Sequence, residues 1–303
     1  MLAAVIVTYN RKELLCRNVE MLLQQTIRFD KIFIIDNCSS DGTAEYLSNQ
    51  GWLSTDQFVY IRLESNIGGA GGFSVGTKVA YEAGADWTIL MDDDGWANDP
   101  ETFKILMERA ESLRSEGKGD GKLFVNALVQ CGDYLSFKIR NMYLVSEVLE
   151  SAENGIISGE ANPFNGTAVS RELISEIGFP NKDFFIKGDE VDYKQRAAAA
   201  GAYVCTVVDS RYNHPRPETI EKKVMGVSVP FVVEAPWKEY YTARNLTYMY
   251  KRSKKYKAIL FEVIYVKLLA IFSANCNRTK TMHMLFKGVR HGWNGKLGPI
   301  IKP

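Results

Sequence analysis

The sequence lacks the features that would place it across a membrane or in a disulfide-bonded scaffold. The one candidate apolar segment, Ala258–Phe272, has 15 residues and contains Glu262 and Lys267, whereas a membrane-spanning helix needs about 20 mostly apolar residues. The five cysteines are scattered and include no CxxC pair, which is more typical of reduced, buried thiols than of disulfides or a zinc site. Leu2–Val7 leads directly into a polar loop, unlike a signal peptide. We therefore expect a cytoplasmic protein whose cysteines stay reduced.

Net charge is also nearly absent, but the balance hides an asymmetry. The 37 basic and 36 acidic residues give a formal charge of +1. From Lys251 onward there are 12 basic residues and one acid, about +11, so the chain before it is about −10. This basic, aromatic-rich segment indicates an anionic partner, either a phosphate-bearing ligand or the inner face of the cell membrane. The alternative is packing on the body or on a second copy in a homo-oligomer. Nucleic acid is disfavoured, because the body is acidic and carries no nucleic-acid-binding motif.

The first part of the chain alternates short apolar runs with amphipathic segments. With 303 residues and 46% hydrophobic content the chain is globular and forms one large domain or two smaller ones. Repeated strand–helix alternation predicts an α/β fold with a parallel sheet covered on both faces. The predicted strands are Ala3–Thr8, Lys31–Asp36, Phe58–Leu63 and Trp87–Met91, and the helices between them are Lys12–Gln25, Thr43–Asn49 and Gly72–Ala83.

Polar residues follow each of these four strands. They are the clusters Thr8–Asn10, Asp36–Asn37, Glu64–Asn66 and Asp92–Asp94. Ligands of parallel α/β sheets bind beyond the carboxyl ends of the strands. We therefore expect the four clusters to meet along one edge, which would be the functional site.

The rest of the chain has weaker periodicity at first and is helical later. Residues 123 to 208 read as mixed strands with one helix, Glu190–Ala200, and a later strand, Tyr203–Val208. Three further helices are predicted, at Lys238–Arg252, Tyr256–Phe272 and Lys280–His291.

The run Asp92–Asp94 is the strongest chemical signal. Three adjacent carboxylates after a buried strand repel one another unless a cation lies between them. Because alternate residues of an extended segment point the same way, Asp92 and Asp94 can converge while Asp93 faces elsewhere. Carboxylate oxygens suit Mg²⁺ or Mn²⁺. The alternative is a solvated acidic loop.

A glycine-rich segment follows the third strand. Ser65–Gly76 contains five glycines at a strand-to-helix junction, which permits a ligand to approach the backbone closely and leaves amides free at a helix start. The pattern is neither a dinucleotide-binding GxGxxG nor a Walker loop. The alternative is a flexible hinge.

Taken together, several motifs resemble one enzyme family. VTYNR (Val7–Arg11), DNCSSDGT (Asp36–Thr43), SNIGGAGGF (Ser65–Phe73), the Asp92–Asp94 run and FFIKGDEVDYKQR (Phe184–Arg196) resemble a family 2 inverting glycosyltransferase of the GT-A fold. SNIGGAGGF, with the later RYNHP and YYTARN, is most similar to the galactofuranosyltransferase and rhamnosyltransferase branch.

The resemblance implies a Rossmann-like, mixed but mainly parallel nucleotide-binding sheet with a helical C-terminal extension. The GT-A catalytic domain would cover residues 1–235, with nucleotide-sugar binding in 1–122 and the acceptor and catalytic part in 123–235, and the basic helical extension would cover 236–303. A sugar-1-phosphate nucleotidyltransferase would need a glycine-rich basic loop after the first strand, which VTYNRKEL is not.

The resemblance also implies a substrate class and a cofactor. The donor would be a nucleotide sugar, UDP-galactofuranose in the first place and dTDP-rhamnose as the alternative. The acceptor would be a cell-surface glycan or a lipid-linked saccharide, and the cofactor Mn²⁺ or Mg²⁺. The non-enzymatic alternative is a degenerate sugar-nucleotide-binding module, which should have lost the acidic residues that bind the metal or act as the general base.

Residue roles follow from the same resemblance. Metal ligands would be Asp92, Asp94 and His214. The general base would be Glu190, with Asp189 as its rival, and Asp192 would orient the loop; the alternative for these three acids is simple pairing with a helix N-terminus. Asp36 would accept the N3–H of a uracil or thymine base. The full nucleotide-sugar pocket would comprise Thr8, Asn10, Arg11, Asp36, Asn37, Asn66, Gly68, Gly69, Asp92 and Asp93.

Overall fold

A computed structural model describes residues 1–217, 219–224, 227–232, 234–273 and 277–301, with backbone only for 219–224, 227–232 and 273. The chain divides into two compact units. Met1–Pro180 with Tyr193–Arg216 form the first, here called the sheet unit, and Asn181–Asp192 with Pro217–Pro303 form the second, here called the helical unit.

The sheet unit begins with the predicted strand–helix alternation. Its first half contains β1 (Leu2–Thr8), α1 (Lys12–Leu23), β2 (Lys31–Asp36), α2 (Thr43–Asn49), β3 (Phe58–Arg62), α3 (Gly68–Glu82), β4 (Trp87–Asp92), β5 (Trp96–Ala97) and α4 (Thr102–Ser115). Its second half contains β6 (Leu123–Cys131), β7 (Tyr134–Ile139), β8 (Met142–Leu144), α5 (Val145–Ser151), β9 (Ile156–Ser158), β10 (Asn165–Ser170), α6 (Arg171–Ile177), the later part of α7 (Asp189–Ala199) and β11 (Tyr203–Asn213).

The strands join in a mixed sheet of order β3-β2-β1-β4-β10-β6-β11-β5. β3, β2, β1 and β4 run parallel, with Thr8 opposite Asp36 and Val7 opposite Asp92. β10 then runs antiparallel to both β4 and β6, while β6 and β11 are parallel. The parallel half brings the ends of the first strands to one edge, as predicted.

Side chains alternate along β1 between two cores, one on each face of the sheet. Ala4 and Ile6 belong to the core that α1 and α4 cover, and Val5 and Val7 belong to the core that α3 and α6 cover. These residues are almost wholly buried. Apolar side chains on both faces explain why the strand sequence is apolar throughout rather than alternating.

Several elements of the sheet unit differ from the sequence prediction, and two of the differences bear on the site. The third helix begins at Gly68 rather than Gly72. Glycines disfavour an isolated helix, but in this protein they allow the helix to pack closely on β1. The strand predicted to end at Val208 continues to Asn213, so His214 follows β11 directly.

The prediction that the cysteines are buried is wrong for Cys131. Cys16 and Cys205 are buried free thiols, Cys38 is half-buried, and Cys131 is exposed at the end of β6. Cys276 lies outside the described residues.

The helical unit contains a hairpin and a group of packed helices. Its elements are the start of α7, β12 (Thr219–Val224), β13 (Val227–Val232), α8 (Pro236–Arg252), α9 (Tyr256–Ala258), π-helical turns at Ile259–Tyr265, α10 (Val266–Ser273) and α11 (Arg278–Trp293). α11 packs closely on α8. At Gly288, a residue without a side chain, an added Cβ would lie only 2.5 Å from the carbonyl oxygen of Tyr240. Within the described residues, no helix has the length and apolar character to cross a membrane.

Candidate functional site

The acid run lies at the end of β4, where the parallel strands of the sheet unit terminate. Asp92, Asp94 and His214 each offer a ligand atom, and these atoms lie within 4.8 Å of one another. His214 reaches this position because it follows β11, and its backbone N–H donates to the carbonyl of Gln130 at 3.0 Å. The structure therefore brings together the three residues that were predicted to bind the metal.

The ring of His214 is oriented from both sides. Its Nδ1 lies 2.7 Å from the carbonyl oxygen of Pro215, and its Nε2 lies 3.2 Å from Oδ1 of Asp94. A hydrogen bond from Nδ1–H to a backbone carbonyl leaves the lone pair of Nε2 for a metal ion. Two carboxylates and one such imidazole nitrogen fit a divalent cation that accepts oxygen and nitrogen ligands.

Charge coupling within the cluster shifts both pKa values. Burial tends to lower the pKa of His214, but the hydrogen bond and charge of Asp94 outweigh it and raise the pKa. Burial tends to raise the pKa of Asp94, but His214 and Arg11 outweigh it and lower the pKa. Without a metal ion between them, imidazolium and carboxylate are thus the favoured forms of His214 and Asp94. A divalent ion could replace the proton that lies between the two side chains.

Asp93 does not belong to this cluster, as the alternation predicted. It is 4% exposed and accepts hydrogen bonds from Oγ1 of Thr8 at 2.8 Å and Nη1 of Arg11 at 3.1 Å. Burial raises the pKa of Asp93, and Arg11 and Thr8 offset this only in part. The same Arg11 nitrogen donates to Asp94 at 2.8 Å, so this half-exposed cation bridges two members of the acid run.

Asp36 ends β2 and is wholly buried. Its Oδ1 accepts the backbone N–H of Ser39 at 2.8 Å, and its Oδ2 accepts the hydroxyl of Tyr60. A base that donates to Asp36 would therefore have to share or replace one of these partners. Asn10 lies at the same edge, in the left-handed region with φ 52°, and its Oδ1 accepts the backbone N–H of Ser40 at 2.7 Å.

The glycine-rich segment divides into two parts. Asn37 and Asn66 fix its start, since Nδ2 of Asn37 donates to the carbonyl of Gly68 at 3.2 Å and Oδ1 of Asn66 accepts the N–H of Gly68 at 2.8 Å. A Cβ at Gly69 would meet nothing within 4 Å. The later glycines are packing residues instead, because a Cβ at Gly76 would overlap Val5 of β1.

The predicted base and its rival lie in the helical unit, at the start of α7. Asp189 is 5% exposed and Glu190 is half-buried. An oxygen of Glu190 accepts the N–H of Gly188 at 2.9 Å. Asp192 is wholly buried and pairs with Nη2 of Arg252 at 2.5 Å, which fits its predicted role in holding the loop rather than reacting.

Sequence reasoning missed two supporting residues. Asn18 is buried on α1 and donates to the backbone carbonyl of Asp92 at 2.9 Å. The sequence did offer one indication of this role, because an asparagine stands among the apolar residues that form the buried face of α1. Tyr60, which holds Asp36, gave no signal, since an aromatic residue is ordinary in a strand.

Known proteins with related sequences include two sugar transferases. Residues 3–117 match the family model described as glycosyl transferase family 2. The galactofuranosyltransferase GlfT1 of Mycobacterium tuberculosis is 30% identical over 253 residues, which cover 81% of this chain and 81% of that protein. The dTDP-rhamnosyl transferase RfbF of Shigella flexneri is 21% identical over 288 residues, 93% of this chain and 92% of that protein.

A solved structure establishes the fold class. The mannosyltransferase PcManGT from Pyrobaculum calidifontis, in complex with GDP-Man and Mn²⁺, has a TM-score of 0.57 and 13% identity, covering 95% of this chain and 75% of that chain. This likeness confirms the predicted GT-A fold. Because the GlfT1 match extends over four fifths of both chains, and the family model covers the strands that carry the acid run, this chain belongs to the family 2 glycosyltransferases, in the branch of galactofuranosyl- and rhamnosyltransferases.

Proposed function

We propose that this glycosyltransferase is inverting and depends on a divalent metal, and that it transfers galactofuranose from UDP-galactofuranose to a hydroxyl group of a cell-surface glycan or lipid-linked saccharide. The observation that carries the proposal is the Asp92, Asp94 and His214 cluster at the end of β4, in a chain 30% identical to a galactofuranosyltransferase. Rhamnosyl transfer from dTDP-rhamnose is the second candidate, favoured by the weaker likeness to RfbF.

Asp92, Asp94 and His214 would hold Mn²⁺ or Mg²⁺. When bound, such an ion neutralises the diphosphate that leaves the sugar. Arg11 contributes a second positive charge at the same edge, and ligand phosphates would compete with Asp93 and Asp94 for its guanidinium. Asp36 would bind the base, and the open backbone at Gly68 and Gly69 would allow the rest of the donor to approach the start of α3.

The transfer would be a single displacement. The carboxylate of Glu190 takes the proton of the acceptor hydroxyl, whose oxygen bonds to the anomeric carbon as the bond from that carbon to the diphosphate oxygen breaks. UDP leaves with the bonding electron pair, and attack from the opposite face inverts the anomeric centre. Asp189 is the rival base; its deeper burial favours a supporting role, while the half-buried Glu190 is better placed to meet a substrate.

Calorimetric titration with UDP tests the metal part of the proposal. UDP should bind in the presence of Mn²⁺, and binding should be lost with EDTA or in Asp94→Ala and weakened in His214→Ala. His283, an exposed histidine of the helical unit, supplies the matched control, and His283→Ala should bind as wild type does. UDP binding that is indifferent both to EDTA and to Asp94→Ala would contradict the metal assignment.

We also propose that the helical unit docks on an anionic membrane surface. On its helix from Tyr256 to Ser273, Ile259 and Val263 are buried, whereas Leu260 and Phe261 are 65% and 61% exposed. An amphipathic segment that leaves apolar side chains in solvent and carries basic residues is typical of interfacial helices.

Sedimentation with phosphatidylserine-containing vesicles tests this docking. Wild type should bind at low salt and be released at high salt, because the charge attraction is screened. Leu260→Ser with Phe261→Ser should reduce binding, and Leu149→Ser, at an exposed leucine of the sheet unit, should not. If wild type ignores the vesicles and instead sediments as a dimer that the double variant dissociates, the surface binds a second copy.

A further inference from the structure

The loop that leads to the predicted base has an unusual backbone. Phe185, Lys187 and Gly188 have φ values of 65°, 66° and 86°. A positive φ is strained for residues that have a side chain. Two such residues before Asp189 and Glu190 persist only if surrounding contacts fix the loop.

Asn245, on α8, supplies those contacts. It is wholly buried, and its Nδ2 lies 3.1 Å from the carbonyl oxygen of Phe184, 2.9 Å from that of Ile186 and 2.7 Å from that of Lys187. The NH₂ group of one side chain thus lies within hydrogen-bond distance of three backbone carbonyls of the loop, which need donors because they are buried.

Arg244 supports Asn245 and extends the same contact. Its Nε donates to Oδ1 of Asn245 at 2.8 Å, which fixes the amide with its NH₂ group toward the loop. Its Nη2 donates to the carbonyl of Phe184 at 2.7 Å and Nη1 to that of Gly298 at 2.5 Å. The guanidinium is wholly buried among backbone carbonyls, so its planar fork serves geometry rather than charge pairing.

Gly188 completes the arrangement. At φ 86° it lies against α8, where a Cβ would come within 3.2 Å of Cε of Met249 and 3.6 Å of Cβ of Asn245. Its N–H donates to Glu190. The path of the loop past Asn245 therefore sets the direction of the N–H that holds the Glu190 carboxylate.

We propose that Arg244 and Asn245 are positioning residues for transfer: they hold the loop from Asp183 to Gly188 in its strained conformation and thereby aim the carboxylate of Glu190. This rests on the proposed role of Glu190 as the base. Loss of Asn245 should lower kcat at least tenfold while UDP affinity stays within twofold of wild type, because the predicted metal ligands belong to the sheet unit.

A double-mutant cycle distinguishes positioning from a general loss of structure. Asn245→Ala is measured in the wild-type and Glu190→Gln backgrounds, by kcat for sugar transfer, with UDP affinity and melting temperature alongside. If Asn245 acts through Glu190, its tenfold effect should shrink to less than twofold once Glu190 is replaced. Thr247→Val is the matched control, since Thr247 is buried on the same helix and its hydroxyl has no hydrogen-bond partner among the described residues; kcat should not change.

Each outcome decides one of the two proposals. Equal loss in both backgrounds, or no loss in wild type, overturns the positioning role. If Glu190→Gln itself leaves kcat unchanged, the base assignment has failed, and the cycle is repeated with Asp189→Asn; additive losses there overturn the positioning role too. If Asn245→Ala melts below the assay temperature, Gly188→Ala, which disturbs the same turn from the loop side, takes its place in the cycle.

Discussion

The glycine-rich segment contains both packing glycines and glycines at the open edge, and alanine substitution separates them. α3 lies so close to the sheet that a Cβ at Gly76 would overlap Cγ1 of Val5 and come within 3.0 Å of Cγ1 of Ile35. Val5 and Ile35 are wholly buried strand residues, which have little room to move. At Gly69 the same added carbon meets nothing within 4 Å.

The size of the effect follows from two opposing contributions. Forcing a methyl group into a packed core costs about 1–3 kcal/mol, while replacing a helical glycine by alanine returns about 0.5–1 kcal/mol. Gly76→Ala should therefore destabilise the fold by about 1–2 kcal/mol, which lowers the melting temperature by roughly 2–8 °C in a domain of this size. Gly69→Ala has only the favourable contribution and should melt at or slightly above the wild-type temperature.

Thermal melting with a parallel UDP titration in Mn²⁺ checks both halves. Gly76→Ala should lose stability and keep its UDP affinity at a temperature where it is folded. Gly69→Ala should keep its stability and bind UDP more weakly, because its methyl group projects at the proposed donor edge. The reasoning fails if Gly76→Ala melts like wild type, or if Gly69→Ala is the less stable of the two.

Three further predictions concern the helical unit. Glu190→Gln should cut kcat at least a hundredfold with UDP affinity near wild type, because a positioned base contributes about 10²–10⁴ in rate; Asp189→Asn should cost less, and a reversed order in steady-state kinetics would make Asp189 the base. Arg252→Ala should lower the melting temperature, because it removes one cation that pairs with the wholly buried Asp192, and breaking a buried ion pair from one side costs up to about 3–5 kcal/mol. Burial tends to raise the pKa of Glu234, but its ion-pair partner Lys187 outweighs this effect and lowers the pKa. The contribution of ionised Glu234 to the free energy of unfolding is therefore complete above the unfolded pKa of about 4.3 and is lost as pH falls through the lower folded pKa. The melting temperature of Glu234→Gln should vary less with pH below about 4.3 than that of wild type.

The parts of the fold that depend on local pattern were predictable. The alternation of apolar strands with amphipathic helices gave Lys31–Asp36 and Thr43–Asn49 with their observed bounds. The acid run was visible because three carboxylates after an apolar strand have no packing role. The alternation of side chains along an extended segment then separated Asp93 from its two neighbours.

The parts that depend on distant contacts were not. The start of α3 was misplaced because glycine propensity argues against a helix, and only the closeness of Val5 shows why it forms. Asn18 supports Asp92 from 74 positions away, and Asn245 holds Lys187 from 58 positions away. Contacts between residues so far apart in the sequence produce no periodic pattern of residue types, so only the folded structure reveals them.

Turnover of nucleotide sugars tests the central claim most directly. The purified protein is incubated with UDP-galactofuranose, dTDP-rhamnose and other nucleotide sugars in Mn²⁺, and release of the nucleotide is measured with and without EDTA. We predict release of UDP from UDP-galactofuranose, lost with EDTA and in Asp94→Ala and retained in His283→Ala. Turnover that persists in EDTA and in Asp94→Ala, preference for dTDP-rhamnose, or no turnover of any donor would contradict the account.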